Sequence, residues 1–330
     1  MNTQKNLIVY NTCGIKKDNT YEYPKYLKSL LAQKYKDGTD TKIIVSLCMP
    51  REGTVPHLKK VFVNAGLDYL VVNDPLPVNI TFNYAILKSI EKYGKFDSYT
   101  FFTADTLLLK QDSMQTLFDT IEENQSYGML SAQTDIDSCY AYGLKLGGGR
   151  FGIDDKRARI EMFKDEKDYI VPVGRACAAH TQVYSSKIFD FYGRCCPDIF
   201  AGYCTESIFS FVNAALKLNW AISKDVLTHH DAGMDGPSCS TDPEKHKIEN
   251  PATGSYDHAF AMSSLLHIFT NEKAIKLGLG YEECQGIVMH DPSQYENNLC
   301  INEELKHYIK ENLYLSKDKF DYDSINASYV

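Results

Sequence analysis

The chain has 330 residues, of which 44% are hydrophobic and 24% charged, and a net charge of −8 from 35 basic and 43 acidic side chains. This is globular composition, long enough for one large domain or a domain with an appendage, and it excludes disorder. The acidic balance argues against nucleic acid as a partner, because phosphate binding rests on clustered Lys and Arg.

Leu7–Tyr10 reads as a short buried strand. Tyr26 to about Lys34 carries Leu27, Leu30 and Leu31 at helical spacing. Lys42–Leu47 is a second strand. Thr54–Ala65 reads as a helix, with Thr54 as candidate N-cap and Pro56 tolerated in the first turn. Asp68–Val72 is a third strand. Thr81–Tyr93 is a helix with Phe82, Ile86 and Ile90 on one stripe and Gly94 at its end. Ser98–Phe102 is a fourth strand, and Met114, Leu117, Phe118 and Ile121 mark a helix that Ser113 would cap. Tyr127–Ser131 is a fifth strand. The alternation predicts a mostly parallel sheet with helices on both faces.

The rhythm then changes. Gly143–Gly152 is glycine-rich and reads as a loop, and a charged stretch follows from Asp154 to Asp168. Ile170–Val173 is a strand-like return. Ile208, Phe211, Val212, Ala215 and Leu216 mark an amphipathic helix, and Trp220–Ser223 a short strand. A Gly/Pro/Ser/Asp-rich linker runs from His230 to about Tyr256. Residues 257–330 read as mainly helical. The division is a domain over 1–235 and a linker with a mainly helical extension over 236–330.

Ten cysteines contain no C-x-x-C pair, and the adjacent Cys195 and Cys196 are poor zinc chelators. The first residues lead directly into a strand without a signal peptide, and no apolar run approaches the ~20 residues that span a bilayer. A cytoplasmic home with free thiols is the expectation, and the sequons at Asn79 and Asn326 then go unused.

The chemistry concentrates after the fourth strand, in Ser98-Tyr-Thr-Phe-Phe-Thr-Ala-Asp105. Open α/β sheets bind ligands at the carboxyl ends of their strands, and a carboxylate there suits a hard cation. The plainer reading of Asp105 alone is a turn cap.

Asn79-Ile-Thr-Phe-Asn83-Tyr-Ala85, a helix, Gly94, and then Phe96-Asp97-Ser-Tyr-Thr-Phe-Phe-Thr103-Ala104-Asp105 resemble the core of GT-A glycosyltransferases, particularly the family-2 type. The resemblance covers roughly residues 5–235. It implies an α/β GT-A fold: a Rossmann-like, mostly parallel mixed sheet flanked by helices, with the mainly helical C-terminal extension added. It also implies a UDP- or GDP-sugar donor, a glycan or similar hydroxyl acceptor, and Mn²⁺ or Mg²⁺. In that family the last Asp of an Asp-X-Asp motif holds the metal that bridges the nucleotide diphosphate, a role that maps onto Asp105. Thr103 replaces the first Asp, so the motif is a variant, and Thr103, Ala104 and Asp105 together become the donor contacts. The nucleotide wall maps onto Asn11 and Thr12 after strand one, Ser46 after strand two, and Asn73 and Asp74 after strand three, and Asn83 in the Asn-and-Ala helix joins the donor contacts. Each of these wall residues is more often an ordinary loop residue.

Downstream, Glu206 stands where family members place a catalytic base, with Asp198 in reserve. An inverting transfer needs a carboxylate to take the acceptor's proton. Thr205 as N-cap with Glu206 in the first turn is the plainer alternative. His230 or His229 matches a terminal metal-binding His, and neighbours on an extended segment point opposite ways. Arg175 lies where acceptor or donor contacts fall, with a structural role as its default. The Gly147-Gly-Gly-Arg150 run lacks the features of a phosphate loop.

Two rival functions stay open. One is a sugar-phosphate nucleotidyltransferase, disfavoured by the single glycine in Asn11-Thr-Cys-Gly14. The other is an inactive GT-A protein that binds glycan or nucleotide. No transmembrane segment is expected, peripheral membrane contact stays open, and the last third leaves room for a homodimer.

Overall fold

A computed structural model of the chain describes residues 5–12, 23–36, 40–48, 55–74, 76, 78–134, 163, 165–171, 180–197, 206–230, 306–307, 309–311 and 321–329. In chain order the elements are β1 (Asn6–Thr12), α1 (Tyr23–Leu31), β2 (Thr41–Cys48), α2 (Val55–Asn64), β3 (Asp68–Val72), α3 (Val78–Tyr93), β4 (Ser98–Thr103), β5 (Thr106–Leu108) and α4 (Ser113–Glu123). There follow β6 (Tyr127–Thr134), β7 (Tyr169–Ile170), β8 (Thr181–Ser185), α5 (Ser186–Tyr192), α6 (Glu206–Ala215), β9 (Asn219–His230), a 3₁₀ turn (Tyr322–Ser324) and β10 (Ala327–Tyr329).

The strands form one ten-stranded sheet in the order β10-β3-β2-β1-β4-β8-β6-β9-β5, with β7 also on β9. β1 to β4 run parallel, as the alternation predicts. β8 runs antiparallel between β4 and β6, and β9 returns parallel to β6.

Side chains alternate across each strand, so β1 feeds two cores. Leu7 and Val9 join Phe82, Ile86, Tyr99, Met129, Tyr184 and Trp220 on one face. Ile8 and Tyr10 join Leu27, Leu30, Phe62, Phe102, Met114 and Leu117 on the other. Burying each such large apolar side chain contributes about 1.5–3 kcal/mol, which is why a doubly covered sheet reads as unbroken apolar runs.

Several details differ from the sequence reading. Leu31 is 40% exposed, whereas Tyr26, Leu27 and Leu30 are buried, because one more residue turns 100° off the inward face. α3 starts three residues before Thr81, at Val78, and Gly94 ends it with φ +87° as expected. Ser113 does not cap α4: Asp112 holds the N-cap position, and the Ser113 hydroxyl donates to the Lys110 carbonyl at 3.0 Å. β9 has 12 residues instead of the four over Trp220–Ser223. Residues 321–329 form a turn and a strand where helix was expected, and β10 hydrogen-bonds to the edge of β3. Thr54, Asp198, Arg175, the Gly143–Gly152 loop and the linker after His230 lie outside the described residues.

Candidate functional site

The chain steps outward from β1 through β2 to β3, then returns to lay β4 on the other side of β1. The strand order reverses there, and the crevice at the carboxyl ends of β1 and β4 is where open α/β sheets bind ligands. Asn11 and Thr12 end β1, and Thr103, Ala104 and Asp105 follow at the end of β4.

The turn after β4 is held from several directions. Asn11 pairs with Thr103 in register, and the Ala104 N–H donates to the Asn11 carbonyl at 3.1 Å. The Tyr10 hydroxyl donates to the Ala104 carbonyl at 3.3 Å. The Thr103 hydroxyl lies 2.7 Å from that of Thr106 and 3.3 Å from the His180 carbonyl, which also accepts from the Thr103 N–H at 3.1 Å. Thr103 thus rigidifies the turn. Asp105 is half-buried at its tip.

β5 then pairs antiparallel with the end of β9: Thr106 with His230, Leu107 with His229, Leu108 with Thr228. This brings the histidine pair alongside the acidic turn, with His230 opposite the residue after Asp105. His229 is half-buried, and the side chain of His230 lies outside the description. Among the described residues no three His, Cys, Asp or Glu side chains cluster. The Asp105 turn and the end of β9 thus lie side by side, a carboxylate near a histidine pair.

The wall on the β1 side is polar. Ser46, Asn11 and Thr103 stand in register across β2, β1 and β4. Ser46 is fully buried, its hydroxyl 3.7 Å from Cys48 Sγ. Asn11 is 5% exposed; its amide donates to the Val9 carbonyl at 3.2 Å, while its Oδ1 meets no donor among the described residues. Thr12 is buried beside it.

Two expected contacts have other occupations. The Asn83 amide donates to the Cys196 carbonyl at 2.8 Å, and its Oδ1 accepts from the Cys196 N–H at 3.1 Å. The Asn73 N–H donates to the Asn326 carbonyl at 2.9 Å, and Asp74 accepts from the Asn326 N–H at 2.7 Å. Asn83 thus holds the segment before α6, and Asn73 and Asp74 hold the C-terminal strand. Burial pushes the Cys195 thiol well above its ordinary value, and neighbouring Cys196 adds to the shift, so Cys195 is not a thiolate at neutral pH.

Glu206 is the first residue of α6, with its side chain outside the description. The sequence reading missed Tyr10 and Thr106, which shape the turn. Only the place of Tyr10 at the end of the buried strand Leu7–Tyr10 hinted at it. No helix among the described residues is long and apolar enough to cross a membrane.

The mixed sheet flanked by helices is an α/β fold of the GT-A type. Mannosyltransferase PcManGT from Pyrobaculum calidifontis, solved with GDP-Man and Mn²⁺, superposes with a TM-score of 0.51 at 10% identity, over 79% of this chain and 64% of its own. TarS from S. aureus superposes with a TM-score of 0.50 at 13% identity, over 86% of this chain and 42% of its own. The chain thus spans less than two thirds of either neighbour's length. No protein-family model matches the sequence, and no curated protein does.

Proposed function

We propose that the chain is a glycosyltransferase that moves a sugar from a UDP- or GDP-sugar to a hydroxyl of a glycan or related acceptor, with Mn²⁺ or Mg²⁺. The observation that carries this reading is the docking of the Asp105 turn, at the sheet's switch point, against the His229–His230 end of β9. The neighbour solved with GDP-Man and Mn²⁺ supports it.

In this reading Asp105 and His230 hold the cation, with His229 as the alternative imidazole. The bound cation supplies a Lewis acid that offsets charge on the departing nucleoside diphosphate. Asn11, Thr12 and Ser46 form the nucleoside wall. Thr103 and Asn83 act from behind it by fixing the turn and the segment before α6. Glu206 takes the proton of the acceptor hydroxyl as its oxygen attacks the anomeric carbon, giving inversion, with Asp198 as the reserve carboxylate. Arg175 meets the donor or acceptor.

A screen of UDP- and GDP-sugars with Mn²⁺ or Mg²⁺, reading nucleoside diphosphate release, tests this. Release that needs metal is expected. Glu206→Gln is expected to lower it by about 10²–10⁴-fold with donor binding retained. Asp105→Ala is expected to remove the metal dependence together with most turnover. No release and no thermal shift with any donor would sink the reading. A donor-induced shift without release identifies a binding protein on the same fold, and pyrophosphate release from a nucleoside triphosphate and a sugar phosphate identifies a nucleotidyltransferase.

A further inference from the structure

β9 does not reach β5 as a straight strand. Its first part pairs with β6 through Trp220 opposite Met129, Ala221 opposite Leu130 and Ile222 opposite Ser131. Pairing resumes with Leu227 opposite Gln133 and Thr228 opposite Thr134. Between these points β6 has one residue, Ala132, and β9 has four: Ser223, Lys224, Asp225 and Val226. Three residues therefore bulge out of β9. An odd insertion exchanges the faces of all that follows, and a bulge bends and re-aims its strand. The part re-aimed here pairs with β5 and ends in His229 and His230.

The bulge has an internal fastener. Gln133 is 7% exposed, and its amide donates to the carbonyls of Ser223 at 2.9 Å and Lys224 at 2.8 Å. The Gln133 carbonyl accepts from the Thr228 hydroxyl at 2.7 Å, and Thr228 is fully buried. One residue of β6 thus grips the bulge where it leaves the ladder and the strand where it rejoins. On the outside, the Asp168 carboxylate accepts from the Lys224 N–H at 2.9 Å. A bulge left to itself would expose carbonyls and slide by a residue. A slide of one residue would put His229 instead of His230 opposite Thr106.

We propose that Gln133 is a positioning residue for the site: its grip on the Ser223–Val226 bulge sets the register that places His230 beside Asp105. The inference rests on the proposed metal-dependent reading and adds to it the residue that decides which histidine arrives. Gln133 touches neither metal nor donor; it acts through His230.

The test uses the full chain as wild type, Gln133→Met, His230→Ala and the double variant. Gln133→Met keeps length and loses the donor. Mn²⁺ binding in the presence of UDP or GDP is followed by electron paramagnetic resonance, and hydrogen exchange is read over 106–108 and 219–230 at a temperature where all four are folded. Gln133→Met is expected to lower Mn²⁺ affinity about tenfold or more, the scale of residues that orient a ligand from behind. It is expected to speed exchange at 106–108 and 227–230 while 219–222 stays protected. In the His230→Ala background Gln133→Met is expected to add nothing, which a general loss of structure would not reproduce. Equal losses in both backgrounds, or unchanged affinity and exchange in Gln133→Met, overturn the proposal alone. A wild type that binds no Mn²⁺ overturns the metal reading and this proposal with it.

Discussion

Asn83 and Asn11 are both buried carboxamides near the sheet's carboxyl end, yet their hydrogen bonds set them apart. Asn83 exchanges two bonds with the Cys196 backbone, and neighbouring Asn79 donates to the Pro197 carbonyl at 2.6 Å. Truncating Asn83 to Ala strands a buried N–H and a buried C=O, each at about 1–3 kcal/mol, so a loss of roughly 2–6 kcal/mol is expected from urea unfolding. Asn11 is the opposite case. Its Oδ1 has no donor among the described residues, so the folded chain carries the cost of that acceptor. Asn11→Leu keeps the branched shape and removes the orphan. Its melting temperature is expected to hold or rise while donor affinity falls, the trade-off typical of binding sites. A clear drop in melting temperature would assign Asn11 to the scaffold.

Packing between elements leaves little slack where β6 meets α6. A Cβ built on Gly128 falls inside the contact distance of Asn213 Oδ1 and 2.9 Å from Leu218 Cδ1. Asn213 is 1% exposed and tied to the Phe209 carbonyl at 2.8 Å, so it cannot step aside. Gly128→Ala is expected to cost about 1–3 kcal/mol by chemical denaturation. At the other edge, Tyr329 of β10 has its pKa raised from 10.0 to about 12, by burial first and the Asp68 carboxylate second. A raised folded-state pKa means that the contribution of Tyr329 is whole below pH 10 and is lost as pH climbs toward 12. The tyrosinate absorbance of wild type minus Tyr329→Phe is expected to show one group with a midpoint near 12; a midpoint near 10 would mean that β10 is not docked. These elements differ in how far the sequence discloses them. β1 to β4 are legible because doubly covered strands are continuous apolar runs. β9 is not, because Ser223-Lys-Asp breaks the run at the bulge, and the Gln133 bonds that span the break come from 90 residues away in sequence. β5 and β10 have three residues each, too few for a period, and the partner of β10 lies some 250 residues upstream. The acidic turn was visible as Asp105, whereas the committed side chains of Asn83 and Thr103 depend on Cys196 and His180, contacts that spacing cannot supply.

The described residues form a sheet with a buried core on each face, and the candidate site lies at the carboxyl ends of its strands. The turn that carries Asp105 is held by hydrogen bonds that involve Tyr10, Asn11 and Thr106. With the turn held by the chain's own bonds, the proposed metal is expected to serve donor binding and not folding. Stripping it with a chelator is expected to leave the melting temperature within about 1 °C of the untreated protein, unlike a structural zinc domain, which unfolds. Donor affinity is expected to fall in the same sample, because a body of net charge −8 must otherwise accept a diphosphate. The salt dependence separates the sources of that affinity. If the cation supplies the positive charge, metal-free binding is weak and does not weaken further as salt rises to 0.15 M, where the Debye length is about 8 Å. Steep weakening with salt would instead reveal a cationic cradle in the chain itself, for which Arg175 is the first substitution to make. Arg175→Ala would then abolish the salt response, whereas under the metal reading it leaves that response flat.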